Sequence, residues 1–501
     1  KSPRLTLPPP PSPPRKRPTT SPRAAAAATL PLAGRSGGRR WRWRTRRGRR
    51  RGGEELSSEF GEEARFVLDV DSPAKHSLDD ADSQCARRHV GRPQLAHKEL
   101  QHLLIGYVAG PRAGPPRHAH AHADAADARI VTIGPEIDRA YYDTIAAHRL
   151  DHELITEGSD LSVVYSPLHG TGTVSMAPAL EACGFRNIEV LAAQADPDGA
   201  FPTVESPNPE EASALRMALD RAEEVGAELV LATDPDSDRV GAAVRDTDGQ
   251  FRLLNGNEIA SLLVQYVLRT KADRGGLNEG DFVARTIVTT RLISEIADAF
   301  DVPVAETLTG FKWIAAEILS REESGQFLVG GEESYGYLIG DEVRDKDAIA
   351  AAAMIAEMAH VEWRKGRTLL DRLRDLHRHY GMYREALVSL KREGIKGADE
   401  IREMMAGFRT NPPTSLGGEA IAEVRDHLEG WNGMPPSNVV QFMTSDGAMV
   451  TARPSGTEPK IKFYFSVRAD WLEGVPHAEA WQQLGSRIAA LGKDLGVEVS
   501  V

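Results

Sequence analysis

Three aspartates occupy alternate positions in the stretch LVLATDPDSDRVG, where Asp234, Asp236 and Asp238 directly follow an apolar run. Carboxylates this close together repel one another, so a positive partner has to compensate them. Arg239 comes next but supplies only one charge. A divalent cation is the stronger candidate, because hard oxygen ligands of this kind select Mg²⁺ or Ca²⁺. A calcium-binding EF-hand is excluded, since its loop needs Gly and Glu where this chain has Arg239 and Arg245.

The residues before the triad predict where it lies. The stretch AELVLATD predicts a buried strand, and α/β sheets bind their ligands at the carboxyl ends of strands. Side chains at i, i+2 and i+4 of an extended loop point to one side, so the three carboxylates are expected to converge on one ion. The alternative is an acidic surface turn solvated by water, and the strand favours the metal site over it.

A glycine-rich stretch, SPLHGTGT at 166–173, lies between a predicted strand and a predicted helix. Gly170 and Gly172 allow the backbone to approach a ligand closely, so the loop could present its amides to a phosphate. Helix-entry loops are also glycine-rich for reasons of turn geometry, and both interpretations stay open. His169 is equally a candidate ligand and a packed or capping histidine.

A second acidic loop, GGEESYG at 330–336, follows the predicted strand QFLV. Its carboxylates and hydroxyl suit a polyol, because each oxygen can exchange a hydrogen bond with a sugar hydroxyl. The candidates there are Glu332, Glu333 and Ser334, and a solvated acidic loop is the alternative. Two lysines stand near these motifs, Lys312 in TGFKWI and Lys346 in RDKDA, and each taken alone is typical of a surface charge.

The stretch TARPSGTEPKIKFYF at 451–465 predicts a tight turn before a strand. A guanidinium fork, two hydroxyls and glycine-exposed amides together make a good phosphate-binding nest. The residues that supply these groups are Arg453, Ser455, Gly456 and Thr457. Lys460 and Lys462 add positive charge, and a turn without a ligand is the alternative.

The 501 residues are enough for three or four domains. With 41% hydrophobic and 27% charged residues and no apolar run near the length of a membrane span, we expect a soluble globular protein. Cys85 and Cys183 are the only cysteines, which argues against a disulfide scaffold and fits a cytoplasmic protein.

Charge and composition divide the chain in two. Residues 1–53 hold 16 Lys or Arg and no acid, which leaves 45 basic and 73 acidic residues, a net charge of −28, in the rest. So acidic a body argues against nucleic acid as its partner. Residues 1–128 have no helical or strand periodicity, and we expect disorder or a mistranslated, out-of-frame segment there. An organelle-targeting segment or a nucleic-acid-binding arm around Trp41 and Trp43 are the alternatives.

From about Arg129 the sequence alternates predicted strands with helices of 10–15 residues, which indicates βαβ units and mostly parallel sheets. The stretch PEIDRAYYDTIAAHR predicts a helix with Ile137, Tyr141 and Ile145 on one face. Another helix is predicted in NPEEASALRMALDRAEEVG, with Glu210 and Glu211 in its first turn. The last hundred residues are more mixed.

From about Arg129 to the C-terminus the motifs together resemble the α-D-phosphohexomutase family, and most closely its phosphoglucomutase/phosphomannomutase branch. The stretches that carry the resemblance are SPLHGTG, PDGAFPTVESPNPEE, ATDPDSDRVG, NGNE, TLTGFKWI, GGEESYGYLIGDEVRDKDA and RPSGTEPKIKFY. It implies repeated α/β/α domains with mixed sheets, and a C-terminal α+β domain, around a central cleft. The implied divisions are a remnant of domain I at 129–157, domain II at 158–270, domain III at 271–385 and domain IV at 386–501.

The resemblance implies a Mg²⁺-dependent exchange between a hexose 1-phosphate and a hexose 6-phosphate, of glucose, mannose or both. A phosphoserine donates its phosphoryl group in that chemistry, and a hexose 1,6-bisphosphate is intermediate and activator. Asp234, Asp236 and Asp238 would hold the metal. The residues that would bind the sugar phosphate are Arg239, Lys312, Glu332, Ser334, Lys346, Arg453, Ser455, Gly456 and Thr457.

One part of the family pattern is not found in this sequence. The serine lies in a loop similar to T-A-S-H-N-P, and the nearest pair here, His76 and Ser77, has the reversed order. If the codons for residues 95–118 are read one base downstream, codon degeneracy permits a sequence similar to that serine loop. Two hypotheses follow: an active mutase misread at its 5′ end, or an inactive sugar-phosphate-binding protein with a real basic arm. A third hypothesis, a Mg²⁺-dependent phosphatase, is weaker, because it would not explain the acidic loop GGEESYG or the phosphate-binding nest.

Overall fold

The structure is a computed structural model that describes residues 134–246, 248–456 and 458–499. The low-complexity segment predicted at 1–128 lies outside these residues. A 3₁₀ turn spans Thr171–Val174. The helices are α1 Pro135–Ala147, α2 His152–Glu157, α3 Met176–Ala182, α4 Ala192–Ala195, α5 Ala212–Val225, α6 Gly256–Asp273, α7 Leu292–Asp298, α8 Phe311–Arg321, α9 Ala348–Trp363, α10 Leu369–Tyr380, α11 Gly394–Thr410 and α12 His477–Asp494.

The first sheet has the order β2-β1-β3-β4-β5. Its strands are β1 Ser159–Ser166, β2 Phe185–Val190, β3 Leu229–Thr233, β4 Val240–Arg245 and β5 Phe251–Leu254. Strand β1 is parallel to both β2 and β3, as the alternation of strands and helices predicts. The β3–β4 and β4–β5 pairs are antiparallel, so the prediction of mostly parallel strands is wrong for this half of the sheet. The connections there are too short for a crossover helix.

The second sheet has the order β7-β6-β8-β9. Its strands are β6 Phe282–Thr286, β7 Val304–Thr307, β8 Phe327–Gly331 and β9 Tyr337–Ile339. The β6–β7 and β6–β8 pairs are parallel, and β9 returns antiparallel to β8. The acidic loop of the sequence therefore forms the turn between β8 and β9.

The third sheet is antiparallel, with the order β10-β15-β14-β13-β12-β11. Its strands are β10 Met382–Lys391, β11 Ser415–Leu416, β12 Glu419–Asp426, β13 Val440–Thr444, β14 Met449–Pro454 and β15 Lys460–Ala469. Apolar side chains of this sheet form one core with α11 and α12. Two mixed α/β sheets followed by an α+β unit confirm the predicted fold class.

Helix α9 joins the first two sheets. It is predominantly apolar, and nearly all of its residues are buried. Such a helix has to be covered on every side. Its side chains share one apolar cluster with residues of β3, β4, β8 and β9, including Leu231, Val240, Val329 and Ile339. No described helix is long and apolar enough to cross a membrane.

One predicted helix boundary was wrong. Helix α5 begins at Ala212 with Glu211 as its N-cap residue, so neither Glu210 nor Glu211 lies in the first turn. The side chain of Asn208 instead accepts a hydrogen bond from the Glu210 N–H at 3.1 Å. This turn directs the Glu210 carboxylate toward Arg239, 3.4 Å away.

Two histidines stack between α10 and α12. His377 is 2% exposed, its Nδ1 is 3.0 Å from His477 Nε2, and Trp481 stacks on both rings. Burial, together with the neighbouring His477 and Arg252, lowers the pKa of His377 to about 3. Burial, with Arg374 and Arg252, also lowers the pKa of His477. Both rings are therefore held neutral at physiological pH.

The His377 ring predicts a loss of stability in acid. The unfolded chain binds its proton at a pKa of about 6.5, so below that pH the unfolded state takes up a proton that the folded state refuses. The contribution of His377 is complete above pH ~6.5 and falls by about 1.4 kcal/mol per pH unit toward pH ~3. Denaturant unfolding at several pH values should show a shallower acid slope in His377→Phe than in the wild type. Parallel slopes between pH 7 and 5 would contradict the assignment.

Candidate functional site

The three aspartates converge at the carboxyl end of β3. Their carboxylate oxygens lie within 4.8 Å of one another, with Asp236 exposed and the other two half-buried. The chain does not reach this arrangement as an extended loop, as the alternating pattern predicted. It forms a tight turn in which Ser237 has a φ of 57°. The Asp234 carboxylate closes the turn by accepting hydrogen bonds from the N–H groups of Asp238 at 3.1 Å and Arg239 at 3.0 Å.

The charge of this turn is only partly compensated by neighbouring cations. Burial, and after it the neighbouring carboxylates of Asp238 and Asp236, raise the pKa of Asp234 to about 8. Asp238 Oδ1 is buried and accepts no hydrogen bond among the described residues, although Arg239 Nε lies 3.5 Å away. Arg239 divides its charge between this turn and Glu210. Three carboxylates with an unsatisfied oxygen fit a hard divalent cation such as Mg²⁺.

The glycine-rich loop packs behind the metal loop, Asp234–Asp238. The Thr171 N–H donates to the Pro235 carbonyl at 2.8 Å, so this amide is not directed at a ligand. Both ring nitrogens of His169 are engaged, Nδ1 with the Asp196 carbonyl at 3.1 Å and Nε2 with Thr203 Oγ1 at 2.9 Å. Of the interpretations left open by the sequence, the structure favours a supporting loop with a packed histidine.

The acidic turn between β8 and β9, Gly330–Gly336, is anchored rather than freely solvated. Glu332 is 6% exposed, and its Oε1 accepts a hydrogen bond from the Gly310 N–H at 2.7 Å. Glu333 accepts from Thr289 Oγ1 at 3.2 Å, and burial together with Glu332 raises the pKa of Glu333 to about 7. Ser334 is half-buried beside them. We refer to this turn as the sugar loop, after the role that its sequence predicts.

Lys346 links the sugar loop to the metal loop. Its Nζ lies 3.1 Å from Asp238 Oδ2 and 2.9 Å from Asp345 Oδ1, and its aliphatic stem covers Gly336. Burial opposes its charge, but the hydrogen bonds to Asp345 and Asp238 outweigh burial and raise the pKa of Lys346. Lys312 is exposed at the start of α8, with its Nζ 4.9 Å from the Trp313 ring centroid, and makes no such link.

Backbone hydrogen bonds link the sugar loop to β4, the strand that follows the metal loop, and link the metal loop to α9. The Val240 N–H donates to the Tyr335 carbonyl at 3.0 Å, and the Ala348 N–H donates to the Ser237 carbonyl at 3.2 Å. The second bond connects the metal loop to the first residue of α9. The metal loop and the sugar loop are therefore parts of one structural unit, although about a hundred residues separate them.

The C-terminal turn closes between β14 and β15, where the Ser455 N–H donates to the Lys460 carbonyl at 2.7 Å. Arg453 and Ser455 are half-buried and Gly456 is exposed, while Thr457 lies outside the described residues. The Arg453 side chain hydrogen bonds with Tyr464. Lys462 lies directly opposite Arg453 in the β14–β15 pair.

Two residues near these loops lie outside the predicted site set: Glu210, which the sequence predicted only as part of a helix turn, and Lys462, which it predicted only as added charge beside the phosphate-binding nest. Glu210 pairs with Arg239, and Lys462 interacts electrostatically with both Glu210 and Glu333. Burial lowers the pKa of Lys462, with Glu333 opposing this effect. Each of these residues follows an ordinary local pattern, a helix start or a strand. Only contacts between residues distant in sequence reveal their position.

Family models of the phosphoglucomutase/phosphomannomutase proteins match three consecutive regions of the chain. Alpha/beta/alpha domain II matches residues 139–249, alpha/beta/alpha domain III matches 255–380 and the C-terminal domain matches 409–479. The chain belongs to the phosphoglucomutase/phosphomannomutase family. The domain boundaries proposed at 158, 271 and 386 stay predictions.

Comparison with individual members of the family shows what share of their length this chain covers. It is 38% identical over 328 residues to a phosphoglucomutase of Staphylococcus haemolyticus, a match that covers 63% of this chain and 59% of that protein. It is 36% identical to a probable phosphomannomutase of Haemophilus influenzae, over 64% of each chain. The chain thus spans about three fifths of the length of these relatives.

A solved structure supports the fold. The open form of parafusin from Paramecium, described as a phosphoglucomutase, superimposes with a TM-score of 0.53 at 19% identity, covering 72% of this chain and 64% of that one. At this identity the likeness concerns the fold alone.

Proposed function

We propose that the protein is a phosphohexomutase that interconverts hexose 1-phosphate and hexose 6-phosphate of glucose, mannose or both. The observation that carries the proposal is the contact between Lys346 Nζ and Asp238 Oδ2 at 3.1 Å. Because the Lys346 stem also covers Gly336, this contact places a loop suited to a metal ion and a phosphoryl group beside a loop suited to sugar hydroxyls. A substrate bound at one loop would lie within reach of the other.

Each loop has a role in this proposal. Asp234, Asp236 and Asp238 hold Mg²⁺, which when bound neutralises charge on a phosphoryl group in transfer. Glu332 and Ser334 contact sugar hydroxyls, with the Glu332 carboxylate held in place by the Gly310 N–H. The residues that bind the phosphates or lie beside them are Arg239, Lys312, Lys346, Arg453, Ser455, Gly456 and Thr457. A hexose 1,6-bisphosphate is the intermediate and the activator.

A coupled assay tests the proposal on the full chain. Glucose 1-phosphate and mannose 1-phosphate are supplied separately with Mg²⁺ and a trace of the matching 1,6-bisphosphate, and formation of the 6-phosphate is followed. We expect turnover that Asp236→Asn removes. If the chain shows no turnover of either sugar phosphate and binds neither of them, that result would contradict the proposal.

A second candidate is binding of sugar phosphate without turnover. It rests on one observation, that no loop similar to T-A-S-H-N-P is found in the sequence. If a sugar phosphate raises the melting temperature of the protein but no 6-phosphate is formed, this candidate would be favoured over the mutase.

A further inference from the structure

The metal loop has two sides. Its aspartates alternate with Pro235 and Ser237, and these two residues face the glycine-rich loop. A Cβ atom built on Gly170 would lie 2.4 Å from Pro235 Cα, and one built on Gly172 would lie 2.7 Å from Ser237 Oγ. Only glycine allows so close an approach to a backbone atom, so the loop Gly170–Gly172 is fitted to the back of the metal loop.

Thr171 makes the polar contacts of this approach. Its N–H and its Oγ1 both donate to the Pro235 carbonyl, at 2.8 and 3.0 Å. The Pro235 carbonyl belongs to the peptide unit that continues into Asp236. Two donors on one carbonyl fix the plane of that unit, and therefore the direction in which the Asp236 side chain leaves the backbone.

The other two aspartates have their own constraints. Asp234 is held by the N–H groups of Asp238 and Arg239, and Asp238 is held by Lys346. The described residues show no hydrogen bond to the exposed Asp236 carboxylate. Its position therefore depends on the backbone, and Thr171 binds the peptide unit on its N-terminal side.

We propose that Thr171 is a positioning residue of the metal site, which holds Asp236 in place for the cation by binding the Pro235 carbonyl. The inference rests on the proposed function, because it assumes that the triad binds a metal. Partners that orient metal ligands typically change metal affinity by about 10–100-fold when removed. The hydroxyl is one of two donors here, so the lower end of that range applies.

The test compares three threonine variants of the full chain by their affinity for Mn²⁺, which replaces Mg²⁺ as a paramagnetic probe. Thr171→Val removes the hydroxyl donor and keeps the shape, and we expect Mn²⁺ to bind about tenfold more weakly. Thr171→Ser restores the donor and should return the affinity to within twofold of the wild type. Thr173→Val changes a threonine of the same turn and should have no effect.

If Thr171 had a merely structural role, Thr171→Val would lower the melting temperature without the loss and recovery of Mn²⁺ affinity described above. Thr171 is exposed, so Thr171→Val should melt within a few degrees of the wild type in the absence of metal. Mn²⁺ affinity within twofold of the wild type in Thr171→Val, or no recovery in Thr171→Ser, would overturn the inference and leave the proposed function standing. A wild-type chain that binds no Mn²⁺ would overturn both.

Gly170→Ala provides a second measurement at the same contact. Its methyl group has to displace the Pro235 backbone, so Mn²⁺ should bind more weakly than in Thr171→Val. Affinity equal to the wild type in a folded Gly170→Ala protein would also overturn the inference.

Discussion

Asp236→Asn is expected to stabilise the protein while it weakens its metal binding. The substitution deletes one of three carboxylates whose oxygens lie within 4.8 Å of one another. In water, each repulsive pair at that distance costs about 1 kcal/mol, and the exposed Asp236 makes no hydrogen bond that would be lost in the described structure. Affinity for Mg²⁺ should fall on the order of 100-fold, because a carboxylate ligand loses its charge.

Two measurements on the same variant separate these effects. Denaturant unfolding in EDTA should show a free energy of unfolding about 1–2 kcal/mol higher than in the wild type, because Asp236 forms two repulsive pairs, and calorimetric titration with Mg²⁺ should show the lost affinity. Asp220→Asn makes the same charge change on the exposed face of α5 and should alter neither quantity. A variant that is destabilised in EDTA would show that Asp236 has a structural partner.

Glu357→Ala is expected to have the largest effect on stability. Glu357 is 1% exposed and accepts three donors, the N–H groups of Leu150 and Asp151 at 2.9 Å each and Tyr266 Oη at 2.6 Å. Alanine would leave these donors without an acceptor, at a cost of about 3–5 kcal/mol. The carboxylate fastens the connection between α1 and α2 to α9, the helix whose first residue contacts the metal loop.

Urea unfolding of three variants tests this expectation. Glu357→Gln keeps one acceptor and should cost about 1–2 kcal/mol, less than Glu357→Ala. Glu403→Ala, at an exposed position of α11, should change the free energy of unfolding by less than about 0.5 kcal/mol. Equal effects of Glu357→Ala and Glu403→Ala would contradict the role assigned to the buried carboxylate.

The features that the sequence predicted correctly depend on neighbouring residues. Apolar runs that alternate with amphipathic stretches predicted β3 and α1, and the close spacing of three aspartates predicted a carboxylate cluster whatever the exact path of the chain. The turn itself was predicted wrongly as extended, because nothing in the local pattern indicates that Asp234 accepts the N–H groups of Asp238 and Arg239.

The features that could not be predicted depend on contacts between distant residues. The glycines at 170 and 172 suited a phosphate loop as well as a close approach, and only the position of Pro235 distinguishes these. Lys346 is typical of a surface charge until the structure places its Nζ beside Asp238. The family resemblance supplied the candidate roles of these residues, which the alternation of strands and helices could not.

Binding of glucose 1,6-bisphosphate tests most directly whether the metal loop and the C-terminal turn serve one ligand. Calorimetric titration of the full chain in Mg²⁺ should show binding, because one phosphate would lie at the aspartates and the other at Arg453. Asp236→Asn and Arg453→Met, made separately, should each weaken binding at least tenfold, while Asp220→Asn should not. Wild-type affinity in either of the first two variants would show that the two loops do not form a single hexose phosphate site.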